Sequence, residues 1–324
     1  MKIQGFFAKF TLKIHFWTEN EAQKPRPTYQ TCKACALKSG FVSVIGRTNA
    51  GKSSLINALS ERKLALISPK QNATRRKIRA IVMFESAQII FTDTPGLHQS
   101  EKKFNQMLVN SALQSASECD LVLFVASVLD GTSEYERFLQ NVPKAPHIVL
   151  LNKVDLVKNE QVLQKLAEYA KFSANFTALV PFSCKQKSYK KPLLDEITKH
   201  LPENPYFFEP EFLSDTSERE LFRDFILEAL FENFSDELPY ACEVLVESVS
   251  ETPTTTHINA TIITDNAHHK AILIGKNGKS LARVGFEARQ KIENFTGKKI
   301  VLKTFIQVKK GWQNDDDFLK KVVF

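Results

Sequence analysis

The chain has no apolar run long enough to span a membrane. Across its 324 residues no uninterrupted hydrophobic stretch approaches the roughly 20 residues a spanning helix needs. Cysteine is scarce and odd in number, five in all. A secreted disulfide framework does not fit that count, whereas a reducing compartment does. Two of the five, Cys32 and Cys35, have C-x-x-C spacing, but no second pair follows to complete a zinc tetrahedron. Acidic residues are missing from the first eighteen positions, which carry lysines together with Phe6, Phe7, Phe10, Phe16 and Trp17. Such a basic, aromatic stretch could lie on a membrane surface. It lacks the length and cleavage pattern of a secretory signal and the Arg and Ser richness of a transit peptide. Residues 1–38 therefore stand apart, either as a real and disordered extension or as a start codon assigned too far upstream. Lysine is missing from residues 203–265, where fifteen acids face two arginines. The next block, 266–313, reverses this with eleven Lys or Arg against two Glu. The whole chain carries a formal charge of +8, which leans toward an acidic partner such as nucleic acid or a membrane surface. The blocks either face each other within one domain or leave a basic field for a ligand.

What is present becomes regular from residue 41. β-rich apolar runs ("FVSVI", "RAIVMF", "QIIFTDT", "LVLFVAS", "HIVLLN", "ALVPFS") alternate with runs of helical period. Such alternation predicts an α/β domain over 39–200, a mostly parallel, doubly wound sheet with helices on both faces. In these sheets ligands sit beyond the carboxyl ends of the strands, and four motifs fall there.

The first is Gly46, Arg47, Thr48, Asn49, Ala50, Gly51, Lys52 and Ser53, followed by Ser54. It fits G-x-x-x-x-G-K-[ST] between a strand and a helix, where amides and the helix dipole cradle phosphates. Lys52 is positioned to neutralise the β and γ phosphates and the Ser53 hydroxyl to bind Mg²⁺. The second is Asp93, Thr94, Pro95 and Gly96, followed by Leu97. An acid at a strand end reaches the metal, commonly through water, and the Gly96 amide senses the γ-phosphate. The third is Asn152, Lys153, Val154 and Asp155. A carboxylate at Asp155 accepts from both N1–H and the 2-amino group of guanine, a donor pair adenine lacks. Lys153 can lay its stem along the ring, and Asn152 can tie this loop to the first. The fourth, Ser183, Cys184 and Lys185, places backbone near the guanine O6.

These residues resemble the TRAFAC-class GTPases, and the particular spelling is similar to the Era family. "GRTNAGKSSLINAL", "TRRKI", "FTDTPGLH", "LLNKVD" and "PFSCK" stand in that family's order. The resemblance implies GTP and GDP as ligands and Mg²⁺ as cofactor, with Thr74 of "QNATRRKI" completing the shell of Ser53 and Asp93. Asn49 matches the P-loop Asn that potassium-activated relatives use as an ion ligand. Cys184 replaces the family's usual Ala, tolerable where only the backbone N–H acts, and Thr48 replaces the usual Pro. The position after Asp93-Thr94-Pro95-Gly96 is Leu97, where Ras-like enzymes carry a water-orienting Gln. Slow intrinsic hydrolysis follows, stimulated by a partner or a monovalent cation, with His98 as general base the alternative. No catalytic residue is assigned beyond Lys52, Thr74 and Gly96.

Residues 201–218 hold three prolines and read as a linker. Beyond it the pattern is α-β-β-α-α-β over 219–313, with a tail at 314–324. This order resembles the type II KH fold, an α+β RNA-binding domain whose G-x-x-G loop joins the middle helices. Gly275, Lys276, Asn277, Gly278 and Lys279 are that loop. It ends in Gly-Lys-Ser like the first motif, but its glycines are three apart and a helix precedes it. The small glycines admit a polynucleotide backbone, and Lys276 and Lys279 meet phosphates. The Era resemblance covers residue 39 to the C-terminus. It implies a GTP-hydrolysing switch, acting as a monomer in the cytoplasm with peripheral association at the inner membrane. Its partners would be single-stranded small-subunit ribosomal RNA near the 3′ end and the small subunit whose assembly it assists. A membrane-associated signalling GTPase and an RNA-binding scaffold with a vestigial nucleotide site are the alternatives.

Overall fold

The computed structural model describes residues 37–61, 64, 78–94, 114–115, 117–141, 146–235, 237–315 and 317–319. Cys32, Cys35, Thr74, Pro95, Gly96, Leu97 and His98 lie outside the described residues.

Six strands form the first sheet: β1 Lys38–Ile45, β2 Ile78–Phe84, β3 Ala87–Asp93, β4 Leu121–Ser127, β5 His147–Asn152 and β6 Ala178–Pro181. Their order is β2-β3-β1-β4-β5-β6. All pairings are parallel except β2 with β3. The inner strands are mainly apolar because both faces are covered. Every residue of β3, β4 and β5 is buried. The pleat sends alternate residues to opposite sides. Val42, Val44, Leu121, Leu123 and Val125 join a core with Leu55, Ile56, Leu193 and Leu194 from α1 Lys52–Ser60 and α4 Lys190–His200. Ile45, Val122 and Phe124 face the other way. They pack on Tyr135, Phe138 and Tyr169 of α2 Ser133–Asn141 and α3 Asn159–Ala170.

The second sheet has the order β7-β8-β9, from Cys242–Glu251, Thr255–Thr264 and Lys299–Val308. β7 and β8 are antiparallel, β8 and β9 parallel. Helices α5 Glu218–Asn233 and α7 Lys279–Thr296 cover one face, and α6 Ala267–Ile274 precedes the glycine loop. The core joins Phe222, Phe225 and Ile226 of α5 to Val244, Ile258, Ala260 and Ile262 of the sheet and Val284, Ala288 and Ile292 of α7. The four-residue spacing of the last three is the stripe that turns one helix face inward. A nearly fully buried ion pair, Arg223 with Glu243 at 2.9 Å, sits at the start of β7.

The stretch between the two units, read from its prolines as a linker, is bound along the first sheet. The Ser39 amide donates to the Pro202 carbonyl at 3.2 Å and the Ile81 amide to the Leu213 carbonyl at 2.8 Å. The fully buried Gln88 carboxamide acts as a clamp. Its oxygen accepts from the Phe207 and Phe208 amides (2.8 and 3.0 Å), and its nitrogen donates to the Phe208 carbonyl at 2.8 Å. Ser214 donates to the Arg79 carbonyl, and Arg79 pairs with Asp215. The start of the tail is equally fixed: Trp312 is buried and its indole N–H donates to the Ala241 carbonyl.

Candidate nucleotide site and basic loop

β1 delivers the chain into a loop that wraps back on itself before α1. Gly51 sits at φ 101°, in the left-handed region, and a Cβ there would strike the Asn152 amide nitrogen. Only glycine satisfies both demands. Asn49 also lies in the left-handed region, at φ 64°, where Asn is among the few tolerated side chains. No side chain caps α1, and a helix N-terminus presents its amides and the positive end of its dipole to an anion.

Lys52 opens that helix and is nearly fully buried. Its ammonium donates to the Gly46 and Arg47 carbonyls, both at 3.0 Å. Burial lowers its pKa to about 8, opposed by the negative charge of Asp93. Asp93 ends β3, fully buried. Burial pushes its carboxyl up to about 6 against the pull of Lys52 and the Ser53 hydroxyl. Ser53 Oγ donates to Asp93 Oδ2 at 2.7 Å. Asp93 Oδ1 is buried and has no hydrogen-bond partner among the described residues. A hydroxyl beside a carboxylate with a vacant oxygen is a donor set that fits Mg²⁺ completed by phosphate oxygens. Thr94 turns away, its hydroxyl donating to the Val44 carbonyl at 2.7 Å.

The loop after β5 is held against the first one. Asn152 Nδ2 donates to the Ala50 carbonyl at 2.8 Å, and Lys153 Nζ to the Asn49 carbonyl at 2.6 Å. Asp155 follows, with Ser183 Oγ donating to one carboxylate oxygen at 2.7 Å and Lys185 Nζ 3.2 Å from the other. The Ser183 hydrogen bond, then Lys185, hold this carboxyl below the usual range, so it is an anion at neutral pH. The structure thus gathers Gly46–Ser53, Asp93, Asn152, Lys153, Asp155 and Ser183–Lys185 at the carboxyl ends of β1, β3, β5 and β6. Sequence reading missed the Lys153 contact with Asn49, the Arg47–Asp130 pair at 3.2 Å and the Cys184 thiol, 3.7 Å from Asn152 Oδ1. Each depends on loops meeting in space, and none leaves a local signal.

The second loop belongs to the other unit. Gly275, Asn277 and Gly278 all take positive φ (70°, 55° and 75°) between α6 and α7. Lys276, Asn277 and Lys279 are exposed. The charge blocks resolve in both ways. Lys291 pairs with Glu228 and Glu232, Lys298 with Glu251, and Lys309 with Asp315. Lys270, Lys276, Lys279, Lys299, Lys303 and Lys310 form no ion pair among the described residues. Beside the loop Ile272 is 43% exposed, an apolar side chain on the surface that the charge pattern did not reveal.

Comparison with known proteins matches residues 41–153 to the family described as 50S ribosome-binding GTPase and residues 237–313 to the KH domain. GTPase Era of Campylobacter jejuni subsp. jejuni (serotype O:23/36, strain 81-176) is 60% identical over 287 residues, 89% of this chain and 99% of that protein. GTPase Era of Campylobacter lari is 53% identical over 288 residues, again 89% and 99% of the two chains. A crystal structure of a substituted Aquifex aeolicus Era bound to GDP and AlF4− superposes with a TM-score of 0.84 at 29% identity, covering 88% of this chain and 98% of that one. Era in complex with MgGDPNP and nucleotides 1506–1542 of 16S ribosomal RNA gives the same TM-score and coverage at 30% identity. With both domains present in order, and with relatives this similar over nearly their whole length, the chain belongs to the GTPase Era family.

Proposed function

We propose that the chain is a GTP-hydrolysing switch that binds single-stranded small-subunit ribosomal RNA near its 3′ end and assists assembly of that subunit in the cytoplasm. The observation that carries the GTPase half is the Asp155 cradle. Its carboxylate is fixed by Ser183 and Lys185 on a loop tied by Asn152 to the phosphate loop, so base choice and phosphate grip are one rigid unit. Mg²⁺ held by Ser53 and Asp93, with Thr74, would supply charge neutralisation at the β and γ phosphates. Lys52 offers its ammonium to the phosphates in exchange for the Gly46 and Arg47 carbonyls. A bound phosphate restores the proton affinity that burial removes. Asp155 and Lys153 orient the guanine, and the amides of Gly51, Lys52 and the first α1 turn face the phosphate oxygens. Leu97 supplies no group to orient water, so intrinsic turnover is slow.

Asn49 serves as a ligand for K⁺, which stimulates hydrolysis. GTP turnover measured in potassium is faster than in sodium, and Asn49→Ala removes the difference. Equal rates in the two salts overturn the cation role.

RNA lies along the Gly275–Lys279 loop, with Lys276 and Lys279 on phosphates and bases beside Ile272. The relative that spans both domains of this chain is seen with 16S RNA, whereas the 50S label attaches to a family matched by residues 41–153 alone. This favours the small subunit. Crosslinking at Lys276 and Lys279 is expected to label the 3′ end of 16S RNA. Labelling confined to RNA unrelated to the ribosome overturns the assembly role. The first eighteen residues give the chain a peripheral hold on the inner membrane. Among the described residues no helix is long and apolar enough to cross one. Removal of residues 1–36 is expected to abolish flotation with lipid vesicles, and unchanged flotation contradicts this role.

A further inference from the structure

Asn152 stands between two loops. Its amide nitrogen donates to the Ala50 carbonyl at 2.8 Å and lies so close over Gly51 that a Cβ there would collide with it. Its amide oxygen faces away from the phosphate loop, 3.7 Å from the Cys184 thiol. Rotating this amide by half a turn would set its oxygen against the Ala50 carbonyl oxygen and break the link between base loop and phosphate loop. The amide orientation therefore matters, and a donor facing the oxygen reinforces the one that the Ala50 carbonyl already favours.

We propose that Cys184 is a positioning residue for nucleotide binding, its S–H donating to Asn152 Oδ1 so that Asn152 Nδ2 stays locked on the Ala50 carbonyl. One chain of contacts then runs from the guanine-side loop after β6, through Asn152, to the loop that grips phosphate. The thiol is suited to this. Burial, the leading cause, raises its pKa to about 11, so the proton to be donated is retained at neutral pH. The side chain is half-buried and packs against the core beneath α1 and α4, which fixes its rotamer. An alanine here keeps the backbone N–H but has nothing to offer the amide oxygen. A thiol is a weak donor, so the contact tunes nucleotide residence rather than deciding whether nucleotide binds.

This inference rests on the GTPase reading, and the two fail differently. The measurement is release of a fluorescent GDP analogue from the full chain with Mg²⁺ present. The variants are Cys184→Ala, Cys184→Val, Asn152→Ala and the Cys184→Val/Asn152→Ala double. Cys184→Ala removes the donor and leaves a gap, whereas the somewhat larger Cys184→Val removes the donor and fills the space, so an effect shared by both reports the hydrogen bond rather than packing. Both Cys184 variants are expected to release the analogue about three- to tenfold faster, the range of one modest hydrogen bond. The double variant is expected to release it no faster than Asn152→Ala alone, because the thiol acts through that amide. The S–H stretching band of Cys184, isolated as the Raman difference between wild type and Cys184→Ala, is expected at a hydrogen-bonded frequency that shifts to the free one in Asn152→Ala. Wild-type release by Cys184→Val, or additive effects in the double variant, overturns the positioning role and leaves the GTPase reading intact. A wild-type chain that fails to bind the analogue at all overturns that reading instead.

Discussion

Lys52 and Lys276 each follow a glycine in a loop rich in amides, yet their surroundings differ completely. Lys52 is buried, its ammonium held by two carbonyls and its pKa lowered to about 8. Lys276 is exposed and forms no ion pair among the described residues. On the function proposed above, the first suits one ligand of fixed shape and the second a mobile polyanion. On the same proposal Asp155 reads the base. In Asp155→Asn an amide donor would meet the N1–H and amino donors of guanine. GTP affinity is expected to fall by at least about 100-fold, with xanthosine triphosphate, which carries a carbonyl at that place, bound better than GTP. Equilibrium titration with the two nucleotides checks this, and an unchanged preference contradicts the base-reading role. The motif residues were legible in the sequence because phosphate and guanine each demand particular groups at fixed spacing. The partners that steady them were not. Lys153 on Asn49, Ser183 on Asp155 and Cys184 on Asn152 join residues about 30 to 100 positions apart, and nothing local marks such pairs.

Among the elements, β4 and β5 announced themselves as nearly unbroken apolar runs, since helices cover both faces of the sheet. The order α-β-β-α-α-β of the second unit was likewise legible from period and turn residues. The segment between the units was harder. Its prolines excluded helix but could not show that residues 202–215 bind along β1, β2 and β3. Pairing there depends on Gln88, a polar residue in a fully buried strand, whose reason emerges only when its three hydrogen bonds to Phe207 and Phe208 are seen. Gln88→Leu strands those backbone groups. It is expected to destabilise the chain by about 1–3 kcal/mol, read from urea unfolding, with the loss of protection from proteolysis concentrated at 202–215. An unfolding midpoint equal to wild type would show that water serves these groups as well as Gln88 does.

At the scale of the molecule, the acidic and basic blocks are divided between two tasks. Lys291, Lys298 and Lys309 spend their charge inside the second unit, on Glu228, Glu232, Glu251 and Asp315. Lys276 and Lys279 form no ion pair among the described residues. On the proposed function, two loops with the same Gly-Lys-Ser ending serve two different phosphates, a nucleotide's at residues 46–53 and an RNA backbone's at 275–280. If so, the two activities separate by mutation. Lys52→Ala is expected to abolish GTP turnover, with RNA binding retained. Turnover surviving in that variant would mean that another group meets the phosphates. The most direct test of the whole is the salt dependence of binding to a single-stranded RNA from the 3′ end of 16S RNA, compared among wild type, Lys52→Ala and the double variant Lys276→Glu/Lys279→Glu. The loop double variant should bind more weakly, with a log–log salt slope shallower by at least about 1.4, since two phosphate contacts on a single strand are lost and two negative charges added. Lys52→Ala should match wild type in both affinity and slope. Equal RNA binding by wild type and the loop double variant, or loss of RNA binding in Lys52→Ala alone, would contradict it.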